Sequence, residues 1–291
     1  MGSYDPRHPP FFVLHSDGDN YGGGTDAYYH HNTGRLVEWL RTDPRFELST
    51  VQDYLARFPP DTSRTVHIEP GSWSGADNGD PQFMKWFSRY RDAYSPDLNS
   101  WAVLTAFQNL VHSLEDVHPD APSSKRLERL LLTAETSCYW YWTGQEVWDR
   151  QVTNAANLAA SLVGSELEAL ADTDRSGPTI FPPWVTPENP GGLTWAEQGL
   201  RAAEAVGTVH TFVSDVAGVS SVTLVLRARG GEERLPMLDR GPYPSRTGAI
   251  RTAHYFTVEL PPTLGDVRYF IEATDRRGNT TRGALERVYL A

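Results

Sequence analysis

Residues His15-Ser16-Asp17-Gly18-Asp19-Asn20-Tyr21-Gly22 place a histidine and two acids on a glycine-rich bend, directly after the apolar run Pro10-Phe11-Phe12-Val13-Leu14. An apolar run of this length closed by turn residues reads as a buried strand, and acids at a strand's carboxyl end stand where α/β enzymes keep their chemistry. Asp17 is therefore the first candidate for a catalytic acid. The competing reading is that Asp17 and Asp19 only shape a turn, as Asp-Gly pairs do. Two further segments collect acids and aromatics beside glycine. They are Glu69-Pro70-Gly71-Ser72-Trp73-Ser74-Gly75-Ala76-Asp77-Asn78-Gly79-Asp80 and Ala134-Glu135-Thr136-Ser137-Cys138-Tyr139-Trp140-Tyr141-Trp142-Thr143-Gly144.

The elements that must position these residues follow from periodicity. Leu36, Val37 and Leu40 predict a helix over Thr33 to Arg41, stopped at Asp43-Pro44. Phe46 to Val51 reads as a short strand, Gln52 to Arg57 as a helical turn and Thr65 to Glu69 as another strand. This β-α-β-α-β order implies a parallel sheet, so the first two acidic segments are expected to converge at its carboxyl edge. From Trp101 to about Ala171 the period becomes 3.6. Three apolar stripes, on Leu104 to Leu114, Leu127 to Ala134 and Trp148 to Val163, predict a helical bundle.

Five prolines and three glycines in Ser176 to Gly192 mark residues 176–205 as a linker or packed loop. Beyond Val206 the runs alternate, as at Val222, Leu224 and Leu226 and again at Val267, Tyr269 and Ile271. They predict a small antiparallel Ig-like β-sandwich over 206–291. The expected fold is a partial parallel α/β barrel over 1–100, a bundle over 101–175, and that sandwich. Asp215 and Asp275 offer oxygen to calcium, but turn formation is the favoured reading of both.

With 291 residues the chain can hold two domains. A net charge of -11 argues against nucleic acid as a partner, because phosphate backbones are bound by basic faces. No run approaches a membrane span. Cys138 is the only cysteine, which excludes an intrachain disulfide and a cysteine-built zinc site. With 9 Trp and 13 Tyr, many beside acids, the composition suits sugars, whose C–H faces pack on flat rings while their hydroxyls seek carboxylates.

The three segments, in this order and spacing, resemble the carboxyl-terminal half of the catalytic region of glycoside hydrolase family 57, retaining enzymes that act mainly on α-glucans. Ser16 to Gly22 is similar to the family's Asp-x-Glu element, with Asp19 in place of the Glu. Gly71-Ser72-Trp73 is similar to its Gly-Ser-Trp loop. Ala134 to Trp142 is similar to its Ala-Glu-x-Ser-Asp-Trp-x-Trp-Trp helix, with Cys138 where an Asp usually stands. The resemblance covers roughly residues 10 to 165. It implies that Asp17 is the general acid/base, that Asp19 meets sugar hydroxyls, that Glu135 orients sugar hydroxyls or packs against the sheet edge, that His15 bonds a sugar or Asp17, and that Trp73, Trp140 and Trp142 offer stacking surfaces, with core packing the competing reading for these side chains. No cofactor or metal is implied.

Retention needs a second carboxylate about 5 to 5.5 Å from the acid. The family's nucleophile is a Glu on an earlier strand, to which no residue here corresponds. The chain is therefore expected to be a fragment, a subunit completed by another polypeptide, or a noncatalytic carbohydrate-binding protein. Glu69 reads as a structural ion-pair partner rather than a substitute nucleophile. His30 and His31, adjacent and so pointing about 100° apart on a helix, read as a surface pair rather than as metal ligands with Asp26. A metal-dependent polysaccharide deacetylase is disfavoured for want of a His/Asp ligand pattern.

Overall fold

The computed structural model describes residues 8–13, 34–63, 98–120, 122–140, 146–164, 166–187, 190–196, 199–203, 206–228, 231–261, 266–284 and 286–289. The chain divides into two compact units, Met1–Pro70 and Gly71–Ala291.

In the first unit, helix α1 spans Gly34–Thr42 and α2 spans Val51–Arg57. The Thr50 hydroxyl accepts the Asp53 N–H at 3.0 Å and donates to the Asp53 carboxylate at 2.8 Å, so α2 begins at a side-chain cap. Phe46 to Thr50, expected as a strand, is irregular and exposed, and Val51 already belongs to the helix. Tyr54 stacks on Phe11 at 4.6 Å and its hydroxyl donates to the Pro9 carbonyl at 2.8 Å. Residues 10–13 are likewise not a strand, whereas the expected strand at Thr65 to Glu69 lies outside the described residues.

The second unit contains four described helices: α3 (Leu98–Val117), α4 (Pro122–Ala134), α5 (Glu146–Val163) and α6 (Glu166–Thr173). The predicted stripes coincide with α3, α4 and α5. Helix α3 is buried on nearly every side, with Val103, Leu104, Phe107, Leu110, Val111 and Leu114 inaccessible. A helix buried on nearly every side belongs at the centre of a fold, and the polar residues it carries, Asn109 and Ser113 among them, are buried with it. It contacts α4, α5 and α6 and also the strands β1 (Thr179–Ile180) and β5 (Thr208–Ser214).

All described strand pairings are antiparallel. The first sheet runs β1-β5-β9-β8, with β9 at His254–Glu259 and β8 at Leu238–Pro242, and β2 (Trp184–Thr186) also pairs with β5. The second runs β11-β10-β6-β7, built from Thr280–Arg282, Asp266–Asp275, Val219–Ala228 and Gly231–Pro236, with β12 (Glu286–Tyr289) also on β10. Val209, Val213 and Phe256 of the first sheet share one core with Leu224, Ile271 and Tyr269 of the second.

The molecule is thus a mixed assembly of helices and two antiparallel sheets, and the parallel sheet expected for residues 1–100 has no counterpart among the described residues. Residues 176–205 also depart from expectation. They hold β1, β2 and the hairpin of β3 (Leu193–Ala196) with β4 (Gly199–Ala202). Thr179 pairs with Ser214, and Trp184 with His210, so this proline-rich stretch is part of the first sheet.

Candidate functional site

Three aspartates that end or follow regular elements converge in the second unit. Asp174 follows α6, Asp215 follows β5, and Asp275 is the last residue of β10. One oxygen from each lies within 4.8 Å of the others. Asp174 is 3% exposed, Asp215 6% and Asp275 1%.

Local sequence builds the arrangement three times over. Each aspartate opens an Asp-x-x-Gly segment, at 174–177, 215–218 and 275–278. In each, Oδ1 accepts the N–H two residues on: Ser176 at 3.2 Å, Ala217 at 2.8 Å and Arg277 at 2.8 Å. These are Asx turns, which hold one carboxylate oxygen and leave the other to point elsewhere. Gly218 and Gly278 have φ of +87° and +93°, a backbone conformation that disfavours any residue with a Cβ. Arg276 N–H donates to Gly218 O at 2.9 Å, which ties the turn at 275–278 to that at 215–218, and Asn279 Nδ2 closes the former on itself by donating to Asp275 Oδ2 at 2.7 Å.

Helix α3 closes the site. Asn109 and Ser113, one turn apart and almost inaccessible, face it. Asn109 Nδ2 reaches Asp215 Oδ2 at 3.5 Å, a marginal contact, while Asn109 Oδ1, Ser113 Oγ and Asp174 Oδ2 are buried without a hydrogen-bond partner. No described Lys or Arg forms an ion pair with the three carboxylates. Desolvation, reinforced by the charges of Asp174 and Asp275, pushes the Asp215 carboxyl up to about 7. Desolvation also raises Asp174 above the usual carboxylate range, with the Asp275 charge adding to it.

Of the residues singled out in the sequence, His15, Asp17, Asp19, Trp73 and Trp142 lie outside the described residues, as do Glu69, Asp26, His30 and His31. Glu135 is exposed just past α4 and accepts Gln108 Nε2 at 2.8 Å. Trp140, expected as a sugar-stacking surface, is a core residue at 2% exposure. Its indole N–H donates to the Ala134 carbonyl at 2.9 Å, and its ring packs on Trp101 at 4.0 Å. The apolar floor laid by α3 and α4 draws the ring inward, and the buried end of α4 supplies the acceptor its N–H requires.

From Trp101 the aromatic packing continues through Phe181, Phe212 and Trp184 to His210 and Tyr255. The His210, Trp184 and Tyr255 rings are near-parallel and mutually adjacent, with centroids 5.3 to 6.2 Å apart. Its Nδ1 meets Tyr255 Oη at 2.6 Å and its Nε2 meets Thr186 Oγ1 at 2.5 Å. Burial lowers its pKa to about 4.

Sequence reading took Asp215 and Asp275 as turn residues, a role both fill, and passed over Asp174, Asn109 and Ser113. The repeated Asp-x-x-Gly spacing was the available signal for the aspartates. No helix among the described residues is long and apolar enough to cross a membrane. No protein-family model matches the sequence, and a search of curated proteins found no match.

Proposed function

We propose that this chain is a catalytic part of a retaining glycoside hydrolase or glucanotransferase acting on an α-glucan or related oligosaccharide. Asp17 serves as acid/base and another chain segment supplies the nucleophile. The observation that carries the reading is the ordered set Ser16 to Gly22, Gly71 to Trp73 and Ala134 to Trp142, whose combination is far more specific than any one piece. Supporting it, the helical stripes predicted around the third segment coincide with α3, α4 and α5, and Glu135 is exposed where a sugar hydroxyl can reach it. In this reading residues 1–100 belong to a partial α/β barrel and the two antiparallel sheets form an Ig-like appendage.

An acid that protonates a leaving glycosidic oxygen must hold its proton near neutral pH. Loss of such a group costs on the order of 10² to 10⁴ in rate. The test is reducing-sugar release from soluble starch and maltooligosaccharides by the full-length protein carrying residues 1–291, against its Asp17→Asn variant. A fall of that size is expected. Unchanged turnover in the variant overturns the proposal, as does a complete failure to hydrolyse or transfer glucosyl units.

A further inference from the structure

We infer that Asp174, Asp215 and Asp275, with Asn109 from α3, form a binding site for a hard divalent cation of the calcium class. This is independent of the glycosidase reading, since none of these residues belongs to the segments that carry it.

The donor set comes first. Three carboxylates and a side-chain amide offer oxygen alone, with no sulfur or imidazole, which suits calcium or magnesium and not zinc or copper. The aspartate oxygens fall within 4.8 Å of one another, a span that a calcium ion with ligands at about 2.4 Å bridges. Magnesium, which demands near-ideal octahedral geometry and keeps several of its waters, suits so enclosed a set of protein oxygens less well.

Burial without partners points to a ligand independently of the cluster. Asp174 Oδ2 and Asn109 Oδ1 are both inaccessible and unpartnered, in residues 3% and 1% exposed. Buried polar atoms are nearly always satisfied, and buried charges are paired or coordinate a metal. The Asn109 amide already faces Asp215 through its Nδ2, and a half-turn of the amide plane puts Oδ1 there instead. The Asx turns fix each carboxylate through Oδ1, so little ordering remains for a bound ion to impose. The ion joins the end of α6 to the ends of β5 and β10 and to α3, which makes it a clamp between the helices and both sheets.

The experiment is calorimetric titration of the chelator-treated chain with CaCl₂ and MgCl₂, alongside thermal unfolding in each. Calcium is expected to bind at one site and to raise Tm by about 5 to 10 °C at about 100-fold over its dissociation constant. Magnesium at the same concentration is expected to give a smaller shift. In Asp215→Asn and Asp174→Asn the calcium shift is expected to disappear, with affinity reduced at least tenfold. The Tm of the metal-free variants is expected to hold or rise, because a buried charge is removed, an outcome that a role limited to hydrogen bonding does not produce. No calcium response at about 10 mM, a full response retained in both variants, or a magnesium response equal to that of calcium overturns the inference.

Discussion

The Arg276 backbone N–H donates to the Gly218 carbonyl at 2.9 Å, coupling the turn that leads from the first sheet into the second to the turn that joins β10 and β11 within the second. The Arg276 side chain also covers Gly218, where an added Cβ would come within 3.1 Å of Nε. Gly218→Ala is therefore expected to destabilise the second unit by about 1 to 2 kcal/mol through its positive φ and displacement of the arginine. Gly278→Ala, with a similar φ but open space around it, is expected to cost less. Urea unfolding of the two variants checks the order.

Gly177→Ala tests the third turn by a different mechanism. A Cβ there would lie 2.3 Å from Thr281 Oγ1 and 3.0 Å from the Thr280 carbonyl carbon, so β11 backbone has to move. A loss of about 1 to 3 kcal/mol is expected, as for overpacked interiors. An unchanged urea midpoint would show that β11 yields freely.

His210 makes stability depend on pH in a definite direction. Its pKa falls from 6.5 to about 4 on folding because burial disfavours the imidazolium, so the unfolded chain takes up the proton more readily. Its contribution is complete above about pH 6.5 and is lost progressively toward pH 4, to a ceiling of about 3 kcal/mol. The neighbouring Tyr255 stays neutral throughout, its pKa raised further by burial. In His210→Gln, unfolding free energies measured across this window should lose that slope.

Trp140→Phe keeps an aromatic ring against Trp101 but removes the donor to the Ala134 carbonyl. Leaving that buried acceptor unpaired is expected to cost about 1 to 3 kcal/mol. The loss should appear as a lower urea midpoint with an unchanged m-value. A neutral result would mean that α4 finds another partner for its last turn.

The helices were readable because Leu104, Phe107, Leu110, Val111 and Leu114 repeat at 3.6 residues along one continuous element. Phe46, Leu48 and Val51 have strand-forming side chains, yet the Thr50 cap claims the next turn for α2, a competition that side-chain type alone does not decide. The proline-rich stretch concealed β1 and β2 because two- and three-residue strands carry no period, and only pairing with β5 defines them. The turn roles of Asp215 and Asp275 were local and legible. Their meeting with Asp174 depends on β5 and β10 ending beside α3, a relationship between residues about 40 to 100 positions apart that no short window along the chain contains.

Because β1 and β2 cover one edge of β5, the sheets cannot be exchanged between proteins as a cassette that begins at residue 206. Such a cut exposes the row of N–H and C=O groups on β5 that Thr179, Ile180 and Trp184 to Thr186 occupy, and invites pairing with a second chain. The smallest inheritable piece that keeps this edge closed, and keeps all three Asp-x-x-Gly turns together, begins ahead of Asp174.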